Sequence, residues 1–415
     1  MRKKKSKLLF SRRSFIAALT SIVPISATSK SIKEGSPLWM TIPGDPFTPI
    51  GKPSLYEEYV KRSIVTPYGE EAAGTGFSTT PLEHLEGVIT PNNLHFERSH
   101  NGVPNINPDS HEFLIHGLVE NELLFSIENL LKYPMQTRSY FIECSGNSFY
   151  NSNAFPIAME KNCGEIHGLL STSEWTGIPL NLLLKETKIK KSARWIIAEG
   201  SDASGMTRSI PLEKALDDVI IALYQNGERI RPEQGYPMRL VVPGWEGNTS
   251  IKWLRRIKVT EYPIYSKDET SKYTDLKPDG KALQFTFPMG VKSLITKPSA
   301  GSNLRSKGPV HISGIAWSGI DKIKTVEVSM DKGKTWKVAK LDEKPQKFKP
   351  VRFRLNWYWD GTEQFLISRA TDKNGNVQPT RKVWSEKYAL GHPYHFNAIQ
   401  CWKISKEGKV TNVYI

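Results

Sequence analysis

The sequence has few cysteines, and none of its apolar runs is long enough to cross a bilayer. Its 415 residues include three cysteines, Cys144, Cys163 and Cys401, which cannot form a complete set of disulfides. The haem-attachment motif Cys-x-x-Cys-His is absent, so we expect no haem on this chain. No two cysteines have the close spacing of the thiolates in structural zinc sites. At least one thiol is therefore free, or bound to something other than a second cysteine.

Positive charge exceeds negative charge, but no nucleic-acid-binding motif accompanies it. The chain has 57 Lys and Arg against 42 Asp and Glu, a formal net charge of +15. Part of this charge lies near the amino terminus, and the remaining basic residues are spread along the chain. No helix-turn-helix, RNA-recognition or zinc-finger pattern is present. We therefore expect an anionic cofactor, an anionic substrate or an acidic protein partner, and no nucleic acid.

Residues 1–30 have the composition of an export signal. A basic region precedes a modest apolar run that ends in small residues, and "SRRSFI" is similar to the twin-arginine type. The apolar run is shorter than the roughly 20 residues that a membrane-spanning helix needs. We predict export to the periplasm by the twin-arginine route with cleavage near Ala27. An uncleaved membrane anchor is the alternative.

Composition divides the rest of the chain into three segments. Residues 31–75 are predicted to be an extended amino-terminal segment, and residues 76–275 alternate strand-like and helical stretches, as in an α+β domain. Within that domain, the Asn-Gly pair of "YQNGERI" predicts a β-hairpin. Residues 276–415 carry short β-rich runs separated by Lys-Gly, Asp-Gly and Asn-Gly turns, which predict an immunoglobulin-like sandwich. Trp336 is predicted to lie in the core of that sandwich.

Cys144 is a candidate for chemistry because of its neighbours. In "SYFIECSGNSFY" it follows an apolar run and precedes a glycine that lets the backbone turn close to a bound group. A thiolate is a soft metal ligand and also a nucleophile. The residues alone leave three readings open: a metal ligand, a nucleophile paired with one of the histidines, and a buried structural thiol.

Two further segments carry groups suited to anions. In "NNLHFERSHNGVP" an extended strand projects Arg98 and His100 from the same side, which would make a cationic wall for an oxyanion. In "RLVVPGWEGNTSIKW" glycines stand close to a serine and Lys252, a combination that suits a phosphate. A solvated loop is the alternative for the first segment, and an ordinary turn for the second.

Taken together, "FERSHNGVP", "FIECSGNS", "EWTGIPLNLLL", "EQGYPMRLVVPGWEGNTSIKWLRRI" and "SKYTDL" resemble the sulfite oxidase family of molybdenum enzymes. Within that family, "KYTDLKPDGKALQFTF" and "HFNAIQCWKISKEGKVTNVYI" are similar to the SoxC subfamily, the molybdenum subunits of sulfane (sulfur) dehydrogenase. The resemblance implies an α+β, sulfite-oxidase-type molybdopterin domain over residues 76–275. An all-β immunoglobulin-like sandwich dimerisation domain would follow over residues 276–415.

The resemblance also implies roles for individual residues. Cys144 would bind molybdenum, and it would form the catalytic set with Arg98, Arg208 and Tyr273. The implied contacts of the molybdopterin cofactor are Phe96, Arg98, His100, Cys144, Asp202, Gln234, Arg239, Ser250, Ile251 and Lys252. Gln234 stands where sulfite oxidases usually place a cofactor-contacting histidine, which weakens the likeness to a plain sulfite oxidase.

The implied reaction is the oxidation of sulfane sulfur bound to a carrier protein, by oxo transfer from molybdenum. Electrons would pass to a c-type cytochrome, a dihaem SoxD-like subunit, since the haem domain of the animal enzyme has no counterpart in this sequence. The carboxy-terminal domain would form a homodimer. Two alternatives stay open: a sulfite dehydrogenase that acts on free sulfite, and a cofactor-free binding or assembly module.

Overall fold

The structure is a computed structural model that describes residues 37–67, 69–72 and 74–415. The predicted export signal at residues 1–30 lies outside the described residues. The chain divides into two compact units, residues 1–55 and residues 56–415. The described part of the first unit is mostly without regular structure. Among the described residues, no helix is long and apolar enough to cross a membrane.

The second unit begins with a domain of short strands and helices. Its strands are β1 (Ser63–Val65), β2 (Gly76–Thr79), β3 (Glu97–Ser99), β4 (Glu112–Gly117), β5 (Leu123–Ser126), β6 (Gln136–Glu143), β7 (Leu170–Pro179), β8 (Trp195–Gly200), β9 (Thr207–Pro211), β10 (Ile220–Gln225), β11 (Glu228–Arg229), β12 (Arg239–Val241), β13 (Leu254–Thr260), β14 (Asp275–Leu276) and β15 (Ala282–Leu283). Its α-helices are α1 (Ile127–Leu130), α2 (Cys163–His167), α3 (Leu180–Glu186), α4 (Leu212–Asp217) and α5 (Lys267–Thr270). The described chain also has short 3-10 helices at Leu38–Met40, Leu55–Glu57, Gly69–Ala72, Asn92–Leu94, Phe149–Ser152, Pro232–Gln234 and Gly247–Thr249.

Two sheets form the body of this domain. One has the strand order β11-β10-β7-β6, with β12 also paired to β10, and the other has the order β5-β4-β13-β8-β9. β13 runs parallel to β4 and antiparallel to β8. Alternating apolar side chains of these strands face a common core, in which Phe113, Ile178 and Leu223 are fully buried. The mixed α+β architecture predicted for this region is confirmed.

The Asn-Gly pair forms the hairpin that its sequence predicts. Asn226 and Gly227 have φ values of 49° and 83°, and such positive φ values at both central residues match the twist of a two-residue hairpin. The flanking residues Gln225 and Glu228 are paired between β10 and β11. This hairpin prediction is therefore confirmed.

The carboxy-terminal domain is a sandwich of two antiparallel sheets. Its strands are β16 (Lys292–Lys297), β17 (Gly308–Trp317), β18 (Ile323–Ser329), β19 (Lys337–Val338), β20 (Lys340–Leu341), β21 (Val351–Trp359), β22 (Gln364–Asp372), β23 (Cys401–Ile404) and β24 (Val410–Val413), and α6 (Arg381–Lys387) lies between β22 and β23. The sheets have the orders β16-β17-β21-β20 and β19-β18-β22-β23-β24. Trp317, Phe353 and Trp402 are fully buried in its core. The predicted all-β sandwich is confirmed.

Trp336 was expected in the core of the sandwich, but it is only half-buried. It lies at the end of the turn between β18 and β19, where its indole N–H donates to the carbonyl of Gly333 at 3.0 Å. The guanidinium carbon of Arg369 lies 4.2 Å from the ring centroid. The prediction of a core position is wrong, since the ring lies outside the buried core of the sandwich and contacts the guanidinium of Arg369 instead.

The two domains share a hydrophobic core. Phe141 and Leu170 of the first domain belong to the same buried cluster as Leu294, Ile315 and Trp317 of the sandwich. Phe141 is on β6, so the strand that leads to Cys144 packs against the carboxy-terminal domain.

Candidate active site

Cys144 lies immediately after β6, in a tight turn that aims its thiol into a cleft. Its backbone N–H donates to the carbonyl of Leu169 at 2.9 Å, and its own carbonyl accepts from the N–H of Asn147 at 2.9 Å. A Cβ added to Gly146 would lie 3.8 Å from the Cys144 sulfur, so the turn folds closely over the thiol. Burial raises the pKa of this thiol. The cleft that the thiol faces has an empty volume of about 690 Å³.

The structure places all predicted site residues except Arg208 around this one cleft. The predicted residues that line it are Phe96, Arg98, His100, Cys144, Asp202, Gln234, Arg239, Ser250, Ile251, Lys252 and Tyr273. They come from β3 and the residues on either side of it, from the turns after β6 and β8, from β12 and the residues before it, and from the segments before β13 and β14. Strand pairing thus assembles residues that are far apart in the sequence.

Arg98, His100 and Tyr273 form a hydrogen-bonded chain on the cleft wall. An Arg98 nitrogen lies 3.3 Å from His100 Nδ1, and His100 Nε2 lies 3.1 Å from the Tyr273 oxygen. Because a guanidinium group only donates, Nδ1 accepts, and the imidazole proton is on Nε2 and is donated to Tyr273. The hydroxyl proton of Tyr273 is then left to point into the cleft. Burial, and next the charge of Arg98, lower the pKa of His100 to about 4, so this imidazole is neutral at neutral pH.

Arg98 is held in place by backbone carbonyl groups. One of its terminal nitrogens donates to the carbonyl of Gly76 at 3.0 Å and also to that of Ser99. These bonds fix the guanidinium near the Cys144 thiol. Burial raises the pKa of that thiol, and the positive charge of Arg98 opposes this effect but is smaller. A fixed guanidinium in a partly buried site suits an anionic or developing oxyanion group.

Arg239, which is buried, and Lys252, which is partly buried, place positive charge in the cleft lining. Two Arg239 nitrogens donate to the carbonyls of Gln234 and Ser250 at 2.9 Å each, and its Nε has no partner among the described residues. Burial lowers the pKa of Arg239 to about 9 and that of Lys252 to about 7. Buried cations without an anion are costly, so this part of the cleft suits an anion such as a phosphate.

Other predicted residues shape the cleft through contacts with the protein itself. The buried Gln234 donates to the carbonyl of Phe96 at 2.9 Å. The Ser250 hydroxyl accepts from the N–H of Val242 at 3.0 Å. The Asp202 carboxylate accepts from the N–H of Met206 at 3.3 Å, which organises the loop between β8 and β9.

Arg208 lies outside the cleft lining, contrary to the placement expected for a substrate-facing cation. Its fully buried guanidinium pairs with Glu246 at 2.9 Å and with Glu269 at 3.1 Å. The guanidinium carbon lies 5.1 Å from the ring centroid of Tyr273. Arg208 therefore contacts the site through the Tyr273 ring, because two carboxylates hold its charge behind that ring.

Sequence reasoning missed His95 and Trp253 as cleft residues. His95 Nδ1 lies 2.9 Å from the carbonyl of Phe96, and its buried Nε2 has no partner among the described residues. Burial lowers the pKa of His95 to about 3. Trp253 lies beneath Lys252, whose nitrogen is 4.2 Å from its ring centroid. In the sequence, only position could have indicated them, because His95 precedes the predicted contact Phe96 and Trp253 follows the predicted contact Lys252.

Known proteins resemble this chain over most of its length. The family models for the oxidoreductase molybdopterin-binding domain and the Mo-co oxidoreductase dimerisation domain match residues 100–267 and 284–401. Mitochondrial sulfite oxidase of Rattus norvegicus is 30% identical over 352 residues, which cover 77% of this chain and 63% of the relative. An NADH nitrate reductase of Cichorium intybus is 31% identical over 352 residues, covering 74% of this chain and 38% of the relative. The chain thus spans less than two thirds of the length of these relatives.

A solved structure extends the likeness to nearly the whole fold. The crystal structure of the sulfane dehydrogenase SoxCD from Paracoccus pantotrophus is 41% identical, with a TM-score of 0.88, and the match covers 92% of this chain and 98% of that chain. The chain belongs to the sulfite oxidase family. The predicted family, and the molybdopterin domain followed by a dimerisation domain, are confirmed.

The match to a molybdopterin-binding domain confirms the predicted cofactor class, molybdenum with molybdopterin. The residues of the cleft fit this cofactor. Cys144 presents a soft sulfur ligand. Arg239 and Lys252 present cations for a phosphate group, and the Nε–H of Arg239 is a donor without a protein partner among the described residues. His95 Nε2 also has no partner among these residues, and it is an acceptor because Nδ1 donates to the carbonyl of Phe96. The individual contacts of the cofactor stay predictions.

Proposed function

We propose that this protein is a molybdenum-dependent oxidoreductase that oxidises sulfane sulfur held on a carrier protein. The observation that carries the proposal is the Cys144 thiol in a cleft whose wall is the chain of Arg98, His100 and Tyr273. Similarity to a sulfane dehydrogenase over 98% of that chain supports this substrate class.

The bound cofactor would supply oxo transfer and a two-electron redox change. The chain supplies the remaining parts of the site. The Cys144 thiolate would hold the metal, and Arg98 would stabilise negative charge that develops on the substrate oxygen. Neutral His100 orients the Tyr273 hydroxyl, so that its proton is donated towards the same charge. Arg239 and Lys252 would bind the pterin phosphate.

We further propose where the protein works and with which partners. The twin-arginine signal predicted at residues 1–30 supports a periplasmic enzyme. The name SoxCD of the structural neighbour supports a SoxD-like partner, and we propose a dihaem c-type cytochrome as the electron acceptor. The match to a dimerisation domain at residues 284–401 supports a homodimer.

Substrate choice tests the proposal directly. The protein is matured with its signal intact, purified, and mixed with the cytochrome and either free sulfite or a thiosulfate-charged carrier. We expect the cytochrome to be reduced with the charged carrier and not with free sulfite, with the uncharged carrier as the control. Rapid turnover of sulfite without turnover of the carrier would identify a sulfite dehydrogenase. Absence of molybdenum from the matured protein would leave a cofactor-free binding module.

A further inference from the structure

Glu143, the residue before Cys144, is held by two side chains of the carboxy-terminal domain. Lys292 Nζ lies 3.2 Å from one carboxylate oxygen, and the Trp317 indole N–H donates to the other at 2.7 Å. Lys292 and Trp317 face each other as a cross-strand pair of β16 and β17. All three side chains are buried, and none of them lines the cleft.

The same ammonium group also holds the far end of the turn. Lys292 Nζ donates to the hydroxyl of Ser148 at 2.7 Å, and that hydroxyl lies 2.7 Å from His167 Nδ1. Asn147, between the two ends, donates to the Glu143 carboxylate at 2.9 Å. Residues 143–148, which we call the thiol turn, are therefore anchored at both ends to one residue of the other domain.

The energetics of this anchor favour a single geometry. A buried charge pair is stable only while both partners remain, because removing one leaves an uncompensated charge in a medium of low polarity. The anchor sits on adjacent strands of a packed sandwich, so its own position is fixed by that sheet. Hydrogen-bonded neighbours of a metal ligand commonly set the direction of the ligand.

We propose that Lys292 and Trp317 are positioning residues for Cys144, so that the carboxy-terminal domain sets the direction in which the thiol enters the cleft. This role is separate from dimer formation. It rests on the proposed function, because Cys144 is taken there as the molybdenum ligand. The residues act through Glu143 and Ser148, since neither Lys292 nor Trp317 lines the cleft.

Charge-neutral variants test this role. Lys292→Gln and Glu143→Gln each break the pair, and the double variant Glu143→Gln/Lys292→Gln replaces it by a neutral hydrogen-bonding pair. Trp317→Phe removes only the indole donor and keeps an aromatic ring in the core. Lys297→Gln is the matched control, because Lys297 lies on the same strand but pairs with Glu86 at 2.8 Å in an exposed position.

Three measurements on the full-length protein follow each variant. They are molybdenum and pterin per chain, the electron paramagnetic resonance spectrum of the bound metal, and hydrogen exchange of the thiol-turn amides. We expect each single charge variant to retain about 10-fold less molybdenum and to lose amide protection in the turn. The double variant should recover most of both. Trp317→Phe should keep the metal with an altered spectrum, and Lys297→Gln should match the unaltered protein.

The outcomes separate this inference from the proposed function. If all anchor variants match Lys297→Gln in metal content, spectrum and exchange, the positioning role is refuted while the function stands. If the unaltered protein binds no molybdenum but the anchor variants still lose protection in the thiol turn and the double variant restores it, the function is refuted. Positioning of the thiol is then supported by hydrogen exchange alone. Trp317→Phe keeps the test decisive if the charge variants do not fold.

Discussion

Replacing the sulfur of Cys144 by oxygen tests whether this residue is the metal ligand that the proposed function requires. Cys144→Ser keeps the size of the side chain and removes the soft ligand, so we expect molybdenum content and turnover to fall by at least about 100-fold. The stability of the cofactor-free protein should change by less than about 1 kcal/mol, since the hydroxyl faces the cleft. Metal analysis, a carrier assay and denaturant unfolding check this. Cys401→Ala, which alters a buried thiol outside the cleft, is the control. Full turnover by the serine variant would contradict the ligand assignment.

The proposed function also depends on the hydroxyl group of Tyr273. Tyr273→Phe removes the acceptor of the His100 hydrogen bond and the proton directed into the cleft. We expect kcat to fall by about 100-fold, because a positioned proton donor commonly contributes this much. Steady-state kinetics on the charged carrier measure the effect, with Tyr224→Phe as the control outside the cleft. An unchanged kcat would remove Tyr273 from the proposed chemistry.

Two histidines of the cleft predict how stability depends on pH. Burial lowers the folded-state pKa of His100 to about 4 and that of His95 to about 3, below the unfolded value of about 6.5. The unfolded chain therefore binds protons first, and the stability present above about pH 6.5 is lost as the pH falls towards 4. Urea unfolding at about pH 7 and about pH 5 measures this, and His95→Gln should reduce the difference. A midpoint that rises on acidification would contradict the assignment.

The sequence predicted which residues line the cleft wherever those residues belong to a recognisable motif. The resemblance located the residues around the cleft, including Arg98, because each occupies a recognisable segment. Arg208 and Trp336 were misplaced because each position depends on partners distant in the sequence. Two carboxylates keep Arg208 behind the Tyr273 ring, and Arg369 covers Trp336.

Among the elements, β7 and β10 approach each other unusually closely at Gly177. A Cβ added there would lie 2.6 Å from the Cα of Ala222 and would also strike the carbonyl of Ile221. Ala222 is paired on its other side with Arg239 of β12, so this contact also positions the buried guanidinium. We expect Gly177→Ala to destabilise the fold by about 1–3 kcal/mol and to weaken cofactor retention.

Denaturant unfolding and pterin analysis of Gly177→Ala check this expectation. Gly51→Ala is the control, since an added Cβ there meets nothing within 4 Å. An unchanged free energy of unfolding in the Gly177 variant would contradict this expectation, because it would show that β7 and β10 can move apart to admit a methyl group without destabilising the fold.

Elements with a local signal were predictable, and those that depend on distant pairing were not. The β10–β11 hairpin follows from Asn226 and Gly227 alone, because their positive φ values define the turn. An extended segment was expected over residues 31–75 and an extended strand at Arg98, but the pairing of β1, β2 and β3 into one sheet was not predicted. Its register places Phe77 opposite Arg98, and no local pattern predicts that pairing.

On the scale of the whole molecule, the shared core predicts cooperative unfolding. Phe141 and Leu170 of the first domain pack in one cluster with Leu294 and Trp317 of the sandwich, so neither domain can unfold without exposing apolar surface of the other. We expect a single calorimetric transition with equal calorimetric and van't Hoff enthalpies. Two separate transitions would show that the sandwich is stable without the molybdopterin domain.

The uncompensated cations of the cleft carry a consequence for protein maturation in the cell. Arg239 and Lys252 oppose folding of an empty chain and favour folding of a loaded one, because a bound anion adds its binding energy to the native state only. We therefore expect empty chains to open more often than loaded chains and to be cleaved more readily by proteases. With the export that we propose, we expect the copies that last long enough to be exported to be those that already carry their cofactor.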